Sequence, residues 1–204
     1  MVRMHLFRSA SHPLAAPEMA NARRAIEHRV RQMVPAFADF CVAHLVARGG
    51  IRCVGSAHAT RNGERLVRML MRTYRIARTD RDSAVAYVVR TGRPLLRTAI
   101  QMDAATARRR DGRIAKLHRQ LATRAALVVP IQLQGRVLGA LSLCYAQSGR
   151  TYVRRDIAAA ARIAAEIART LAPTGSPHAS FGLRSAARDA RQGTTIRRRV
   201  AARN

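Results

Sequence analysis

The sequence predicts an α/β fold of the α+β kind, and three observations support this. Two pairs of apolar segments are each joined by a glycine turn, Gly49-Gly50 in the first pair and Gln134-Gly135 in the second, which is typical of β-hairpins. Around them, apolar residues recur every three to four positions, as in amphipathic helices. With 204 residues, 48% of them hydrophobic, the chain is long enough for one core of roughly 150 residues.

The predicted elements run from a helix at the start of this domain to a long helix at its end. In chain order they are a helix from residue 22, strands over 37–46 and 51–59, helices over 64–74 and 84–90, a strand over 95–100, a helix over 114–121, strands over 127–133 and 137–146, and a helix over 154–171. We predict a single domain at 22–172, between a flexible leader at 1–21 and a basic disordered tail at 173–204.

Periodicity and capping residues define the elements of the first half. The first helix has a regular apolar stripe, and Pro35 should end it. Asn62 is a favourable N-terminal cap for the second helix. Ser83 can cap the third helix, which Gly92 then ends.

In the second half, alternation and a seven-residue repeat define the elements. Side chains of residues 127–133 alternate between the two faces of a strand, and one face becomes polar towards Gln134. Residues 137–146 are apolar on both faces, as expected of a central strand that is covered on both sides. In the last helix Ile157, Ala164 and Leu171 are spaced by seven, with alanines between them. Another helix can therefore approach this seam closely.

The chain carries a large excess of positive charge. Its formal net charge is +27, and Lys116 is the only lysine among 38 basic residues. Genome composition and selection for a polyanionic partner both explain such an excess of arginine, and the sequence leaves both open. A polyanion-binding patch would use three clusters of arginine. These are Arg108, Arg109, Arg110, Arg154, Arg155, Arg197, Arg198 and Arg199.

The expected location follows from the apolar runs and the cysteines. No apolar run reaches the roughly 18 residues of a membrane helix, and the N-terminus lacks the apolar centre of a secretory signal. Cys41, Cys53 and Cys144 are odd in number and lie in apolar segments, which is typical of buried thiols in a reducing compartment. We therefore expect a soluble, cytoplasmic protein without disulfide bonds.

No residue pattern predicts catalysis, so we do not expect an enzyme. Ser142 lies within an apolar strand and not on the exposed turn that presents a hydrolase serine. Cys41 and His44 are three positions apart on a predicted strand, so their side chains should point to opposite faces. The 7 histidines and 3 cysteines show no zinc-binding spacing, and no glycine-rich phosphate loop opens a helix. No metal or cofactor is predicted.

Four parts of the chain resemble a GAF domain. They are Val-Pro-Ala-Phe-Ala-Asp-Phe-Cys at 34–41, Arg-Thr-Gly-Arg-Pro at 90–94, the hairpin at 125–130 and 135–141 with its Arg-Val-Leu-Gly-Ala-Leu, and 148–156, which begins Ser-Gly-Arg. The order of the predicted elements agrees, and the resemblance covers about 24–172. The chain is most similar to the GAF sensors that bacteria fuse to histidine kinases or serine phosphatases.

This resemblance implies a GAF/PAS-like fold, with a twisted antiparallel sheet of about five or six strands and helices on both faces. It places the first and last helices on one face, where they would form a homodimer, and a small-molecule pocket under the shorter helices on the other face. The expected pocket residues are Cys41, Tyr87, Ile100, His118, Ala126, Val128 and Cys144. The expected dimer residues are Ile26, Val30, Met33, Ile157, Ala164 and Leu171.

The chain departs from the family pattern at its last helix and after it. Relatives have a threonine or serine as the helix cap, but this chain has Val153, followed by two arginines whose charge opposes the helix dipole. We expect the helix start to be weakened by about 1 kcal/mol, and Asp156 to offset part of this. Because the resemblance to a sensor is not followed by one to a kinase or phosphatase after Pro173, we expect either signalling in trans or a remnant of a longer sensor protein.

Two functions follow from these patterns. The first is a regulatory sensor that binds a small molecule or a protein and acts on a kinase or phosphatase partner. The alternative is binding to a polyanion, either nucleic acid or an acidic partner, through the arginine clusters. Aromatic residues make up only 4% of the chain, so base stacking does not favour nucleic acid.

Overall fold

The computed structural model describes residues 16–73, 75–100 and 112–172. The helices are α1 (Ala16–Gln32), α2 (Arg61–Thr73), α3 (Ala84–Thr91), α4 (Gly112–Leu121) and α5 (Asp156–Thr170). The strands are β1 (Phe40–Ala47), β2 (Gly50–His58), β3 (Leu95–Arg97), β4 (Ala125–Leu133) and β5 (Arg136–Tyr145). α1 thus begins at Ala16, inside the segment that we predicted as a leader. None of the described helices has the length and hydropathy of a membrane span.

A five-stranded sheet lies at the centre of the fold, in the order β2-β1-β5-β4-β3. All neighbouring strands are antiparallel, which confirms the predicted α+β class. Helices α1 and α5 pack on one face, and α2, α3 and α4 pack on the other. β1 and β5 are therefore buried along almost their whole length. This explains why both strands are apolar at successive positions.

The hairpin between β4 and β5 explains why glycine occurs before and within the Arg-Val-Leu-Gly-Ala-Leu segment at 136–141. Gln134 and Gly135 form its two-residue turn with φ of 50° and 76°, which suits glycine at the second position. Gly139 is directly opposite Leu45 of β1, and a Cβ atom at this position would collide with the carbonyl oxygen of His44. Only glycine allows this approach of the two backbones.

The caps of α2 and α3 differ in how well the sequence predicts them. The Ser83 hydroxyl accepts a hydrogen bond from the N–H of Ala86 at 3.2 Å, and Gly92 ends α3 with φ 66°, as predicted. The prediction of Asn62 as the cap of α2 is wrong. Thr60 takes that role, because its hydroxyl accepts from the N–H of Gly63 at 3.1 Å.

Several element boundaries also differ from the prediction, among them those of β1, β3 and α5. β1 begins at Phe40 and not at Phe37, because the N–H of Phe37 donates to Met33 and continues the turn after α1. β3 ends at Arg97. α5 begins only at Asp156. The Asp156 carboxylate reaches back and accepts a hydrogen bond from the N–H of Val153 at 2.8 Å, as the acidic residue of a capping box does.

Candidate functional site

A cavity of about 280 Å³ lies between the sheet and helices α2, α3 and α4. Its floor consists of alternate residues of β1, β4 and β5, including Val42 and Val128. Leu70 of α2, Val85 of α3 and Leu121 of α4 form its walls. The volume is near the lower end of the range of small-molecule pockets, and the lining is mainly apolar with a few polar groups, as such pockets usually are.

Five of the seven residues predicted for the pocket surround this cavity. They are Ile100, His118, Ala126, Val128 and Cys144. Ala126 and Cys144 are directly opposite each other on β4 and β5, so they share one face of the sheet. His118 reaches the cavity from α4 and also interacts with other residues of the chain.

The prediction for Cys41 is corrected, because this residue lies on the other face of the sheet. β1 and β5 pair so that Phe40 is opposite Cys144, and Cys41 is opposite Leu143. Residues that are directly opposite point to the same face. Cys144 therefore shares the cavity face with Phe40, whereas Cys41 is fully buried in the core beneath α1 and α5.

The prediction for Tyr87 is corrected as well. α3 directs Val85, Val88 and Val89 towards the sheet, where they are buried. Tyr87 lies between these positions on the helix and points away from the sheet, so it is 36% exposed. The helical period places it on the outer side of α3, and it does not border the cavity.

Two polar residues on the cavity floor, His44 and Ser142, are missed by the sequence prediction. Their exposed fractions are only 5% and 7%. Nδ1 of His44 and Oγ of Ser142 are buried without a hydrogen-bond partner in the part of the chain that the structure describes. A buried polar atom without a partner costs roughly 1–3 kcal/mol. A ligand in the cavity can supply the missing hydrogen bonds.

Strand alternation is the signal that identifies these two residues. On β1, Phe40, Val42 and His44 share a face, and Val42 is directly opposite Ser142 on β5. Once Cys144 is placed in the pocket, Ser142 follows at the next position on the same face. His44 follows in the same way from Phe40 and Val42.

Burial fixes the charge of the His44 ring. Removal from water lowers its pKa to about 4. The imidazole is therefore neutral at pH 7, with one nitrogen that donates a hydrogen bond and one that accepts. The cavity floor thus presents a neutral ring and a hydroxyl, which can recognise an uncharged hydrogen-bonding group but cannot compensate a buried charge.

The cysteines are poorly suited to nucleophilic chemistry. Burial raises the pKa of the Cys144 thiol to about 12 and that of Cys53 to about 11, and it raises the pKa of Cys41 too. A thiol reacts through its thiolate form, which is scarce at pH 7 when the pKa is so high. Among the described residues, no three His, Cys, Asp or Glu side chains cluster as metal ligands would.

The residues predicted for a dimer contact belong to the core of this chain, and that assignment is corrected. Four of them are buried, namely Ile26, Val30, Ala164 and Leu171. Met33 and Ile157 are partly buried and pack against the same core. The sheet covers the apolar seam of both helices, so the seam has no need of a second chain. A homodimer remains a prediction, and its contact would have to use the outer sides of α1 and α5.

The predicted arginine clusters are only partly described. Arg154 and Arg155 are exposed just before α5. The clusters at 108–110 and 197–199 lie outside the described residues. A common patch of all eight arginines therefore remains a prediction.

Asp39 joins two of the segments that resemble the GAF family, 34–41 and 148–156. Its Oδ2 atom accepts from the N–H of Ala146 at 2.7 Å and of Ser148 at 2.9 Å. Its Oδ1 lies 3.5 Å from Arg150, whose guanidinium also donates to the carbonyl oxygens of Pro35 and Ala36. Asp39 and Arg150 therefore hold these two segments together, and neither residue lines the cavity.

Known proteins share this fold at low sequence identity. The GAF-B domain of DevS from Mycobacterium smegmatis is 16% identical, with a TM-score of 0.51, over 75% of this chain and 92% of that chain. A GAF domain/HD domain protein from Geobacter sulfurreducens is 12% identical, with a TM-score of 0.54, over 78% and 96%. A type II free methionine-R-sulfoxide reductase from Thermoplasma acidophilum is 13% identical, with a TM-score of 0.50, over 76% and 94%.

Sequence comparison identifies the family. A search of curated protein sequences finds no match. The family model described as GAF domain matches residues 22–171, which is well over half of the chain. GAF domains are sensor and regulatory domains that bind small molecules. The chain belongs to the GAF domain family.

Proposed function

We propose that this chain is a regulatory sensor whose cavity binds a small, mostly apolar molecule and which signals to a partner protein in trans. One observation carries this proposal: His44 Nδ1 and Ser142 Oγ are buried in the cavity floor without hydrogen-bond partners in the described structure. Within the described residues these two atoms are unsatisfied, and a bound molecule that reaches both removes the cost.

The floor also defines the chemistry of the ligand. Because the imidazole is neutral and the hydroxyl is uncharged, the group that reaches them is itself uncharged, such as an alcohol, an amide or a ketone. The apolar body of the ligand packs against Val42, Leu70 and Val128. The volume of about 280 Å³ favours a compact molecule over a large one.

Coupling from the cavity to the terminal helices runs through the central strands. Val42 and His44 line the cavity, while Cys41, Ala43 and Leu45 on the same strand pack beneath α1 and α5. A ligand that shifts β1 or β5 therefore changes the support of these helices and biases the population of conformations that a partner recognises. A kinase or phosphatase is the partner that we propose, and signalling through a homodimer belongs to the same proposal.

Thermal unfolding with a library of compact uncharged metabolites tests the proposal. A ligand at 100 times its Kd stabilises a protein by about 2.7 kcal/mol, which corresponds to a rise in Tm of roughly 5–10 °C for a chain of this size. The variant Ser142→Ala should respond much less, and Ala126→Leu, which fills the cavity, should not respond.

Thr170→Ala serves as the matched control, because it also removes a hydroxyl but lies on α5, on the far side of the sheet. It should respond like the wild-type chain. A library that produces no stabilising compound, or a compound that stabilises the wild-type chain and Ala126→Leu equally, would contradict the proposal.

A further inference from the structure

A basic groove runs along the outer edge of β2, between α1 and α2. It consists of two adjoining clefts of about 770 and 510 Å³. Arg31, Arg68 and Arg72 line both clefts, so the two are continuous. We call this surface the β2 groove. Among the described residues, six arginines line it, namely Arg23, Arg31, Arg61, Arg65, Arg68 and Arg72.

The arginines of the β2 groove are arranged in stripes on the two flanking helices. On α2 they recur at steps of four, three and four, which places them on one side of the helix, while Val67 and Leu70 are buried on the side that faces the sheet. On α1, Arg23 and Arg31 lie eight positions apart. Like charges three or four positions apart on a helix repel each other, so the stripe on α2 is less unfavourable when an anion is bound to it.

Acidic neighbours offset only part of this charge. The groove contains two glutamates, and each pairs with one arginine: Glu27 with Arg23 at 3.1 Å and Glu64 with Arg68 at 2.9 Å. Within the described ranges, the other four arginines form no ion pair. Their guanidinium groups are therefore available to carboxylates of another molecule, which they can bind through two parallel hydrogen bonds.

The floor of the groove is the free edge of the sheet. Among the described strands, β2 has a neighbour only on its β1 side. On its outer side, the N–H of Ile51 donates to the carbonyl oxygen of Ile76 at 2.9 Å. No other segment of the described structure pairs with residues 53–58 on that side. The Gly55 carbonyl oxygen accepts a hydrogen bond from the Cys53 thiol at 3.6 Å. An extended chain would displace this bond and pair with the outward-facing backbone groups of β2.

We propose that the β2 groove docks an extended acidic segment of a partner protein. Its Asp or Glu side chains bind the arginines of both helices, and its backbone lies along the edge of β2, as in strand addition. The stripe from Arg61 to Arg72 is about 16 Å long, from the rise of 1.5 Å per helical residue. About five residues of an extended chain span this length.

A peptide fits this surface better than a nucleic acid does. Single-stranded nucleic acid gains much of its affinity from bases that stack on aromatic side chains. Among the described residues of the groove there is no Phe, Tyr or Trp. The free backbone groups of a sheet edge also match the regular donors and acceptors of a peptide and not a sugar-phosphate chain.

The test uses the full chain and a fluorescent ten-residue peptide in which glutamate alternates with valine, with a glutamine version for comparison. Fluorescence anisotropy measures binding at constant salt. Because a net charge of +27 attracts any anion, the variants must be matched in charge. Arg65→Glu/Arg72→Glu changes the groove, and Arg81→Glu/Arg136→Glu makes the same change of charge at exposed positions outside both the groove and the predicted arginine clusters.

We expect the groove variant to weaken binding of the glutamate peptide by about tenfold or more, and the control variant by less than about threefold. Arg65→Gln/Arg72→Gln should show an intermediate loss, and thermal unfolding checks that each variant folds. Equal losses in both charge-reversed variants would overturn the proposal, because they would indicate diffuse attraction. The proposal would also be overturned, in favour of nucleic acid, if the wild-type chain bound single-stranded DNA more tightly than the glutamate peptide and the groove variant lost this binding.

Discussion

The two faces of the sheet are built in different ways. On the face covered by α1 and α5, Tyr152 is fully buried, and its ring stacks on that of Tyr145 with 4.2 Å between the ring centroids. The Tyr152 hydroxyl donates a hydrogen bond to the carbonyl oxygen of Phe37. The opposite face keeps a cavity, and two of its polar atoms have no partner in the described structure. The first face thus supplies stability, whereas the second carries the two polar groups that we propose a ligand satisfies.

If the two faces differ in this way, substitution of Tyr152 should have the largest effect on the free energy of unfolding. Tyr152→Ala removes a buried ring from the filled face and should lower the free energy of unfolding by about 3–5 kcal/mol. Tyr152→Phe removes only the hydroxyl and should cost about 1 kcal/mol. Urea denaturation measures both values. A loss below about 1 kcal/mol for Tyr152→Ala would show that this face is not tightly packed.

The second largest expected effect on the free energy of unfolding comes from Asp39, and it depends on pH. Burial alone would raise its pKa, but the N–H groups of Ser148 and Ala146 and the Arg150 guanidinium outweigh burial and hold the pKa below its usual value of 3.8. A lowered pKa in the folded state means that the charged form stabilises the fold above the usual pKa. This contribution disappears as the pH falls through the folded-state pKa.

Asp39→Asn should therefore cost about 2 kcal/mol at pH 7, as expected for hydrogen bonds to a charged group. The difference from the wild-type chain should shrink steadily when the pH is lowered from about 5 to about 2. Urea denaturation at several pH values measures it. A difference that is constant over this range would show that the charge of Asp39 does not stabilise the fold.

The smallest effect, with the opposite sign, is expected on the cavity face. Ser142→Ala removes a buried hydroxyl that has no partner among the described residues, so the free chain should be unchanged or up to about 1 kcal/mol more stable. Denaturation of the free chain measures this directly. A loss of more than about 1 kcal/mol would mean that Ser142 is satisfied in the free chain and that the two faces are alike in this respect.

The order and type of the elements were predictable because local signals define them. The cap at Ser83, the left-handed Gly92 and the Gln134-Gly135 turn each act within a few residues, so they can be recognised in the sequence. The start of β1 was not predictable in this way. Phe37 is apolar like its neighbours, and only its hydrogen bond to Met33 excludes it from the strand.

The family resemblance predicted five residues that border the cavity, and two of these, Ile100 and His118, do not lie on strands. Ala126, Val128 and Cys144 border the cavity together because Ala126 is directly opposite Cys144 and Val128 lies two positions further along β4, so all three share one face of the sheet. Cys41 was misplaced because the face on which a β1 residue lies depends on its register with β5, and register results from contacts between distant segments. The β2 groove combines two helices and one strand edge, so it becomes visible only when the tertiary structure is known.

The most direct test of the sensor proposal is NMR spectroscopy of the chain with ¹⁵N-labelled histidine, recorded with and without the most strongly stabilising uncharged compound. A His44→Asn variant assigns the His44 signals. The proposal predicts that the compound shifts the His44 Nδ1 resonance by forming a new hydrogen bond, and that the ring stays neutral at pH 7. A compound that stabilises the chain but leaves the His44 ring signals unchanged would contradict it.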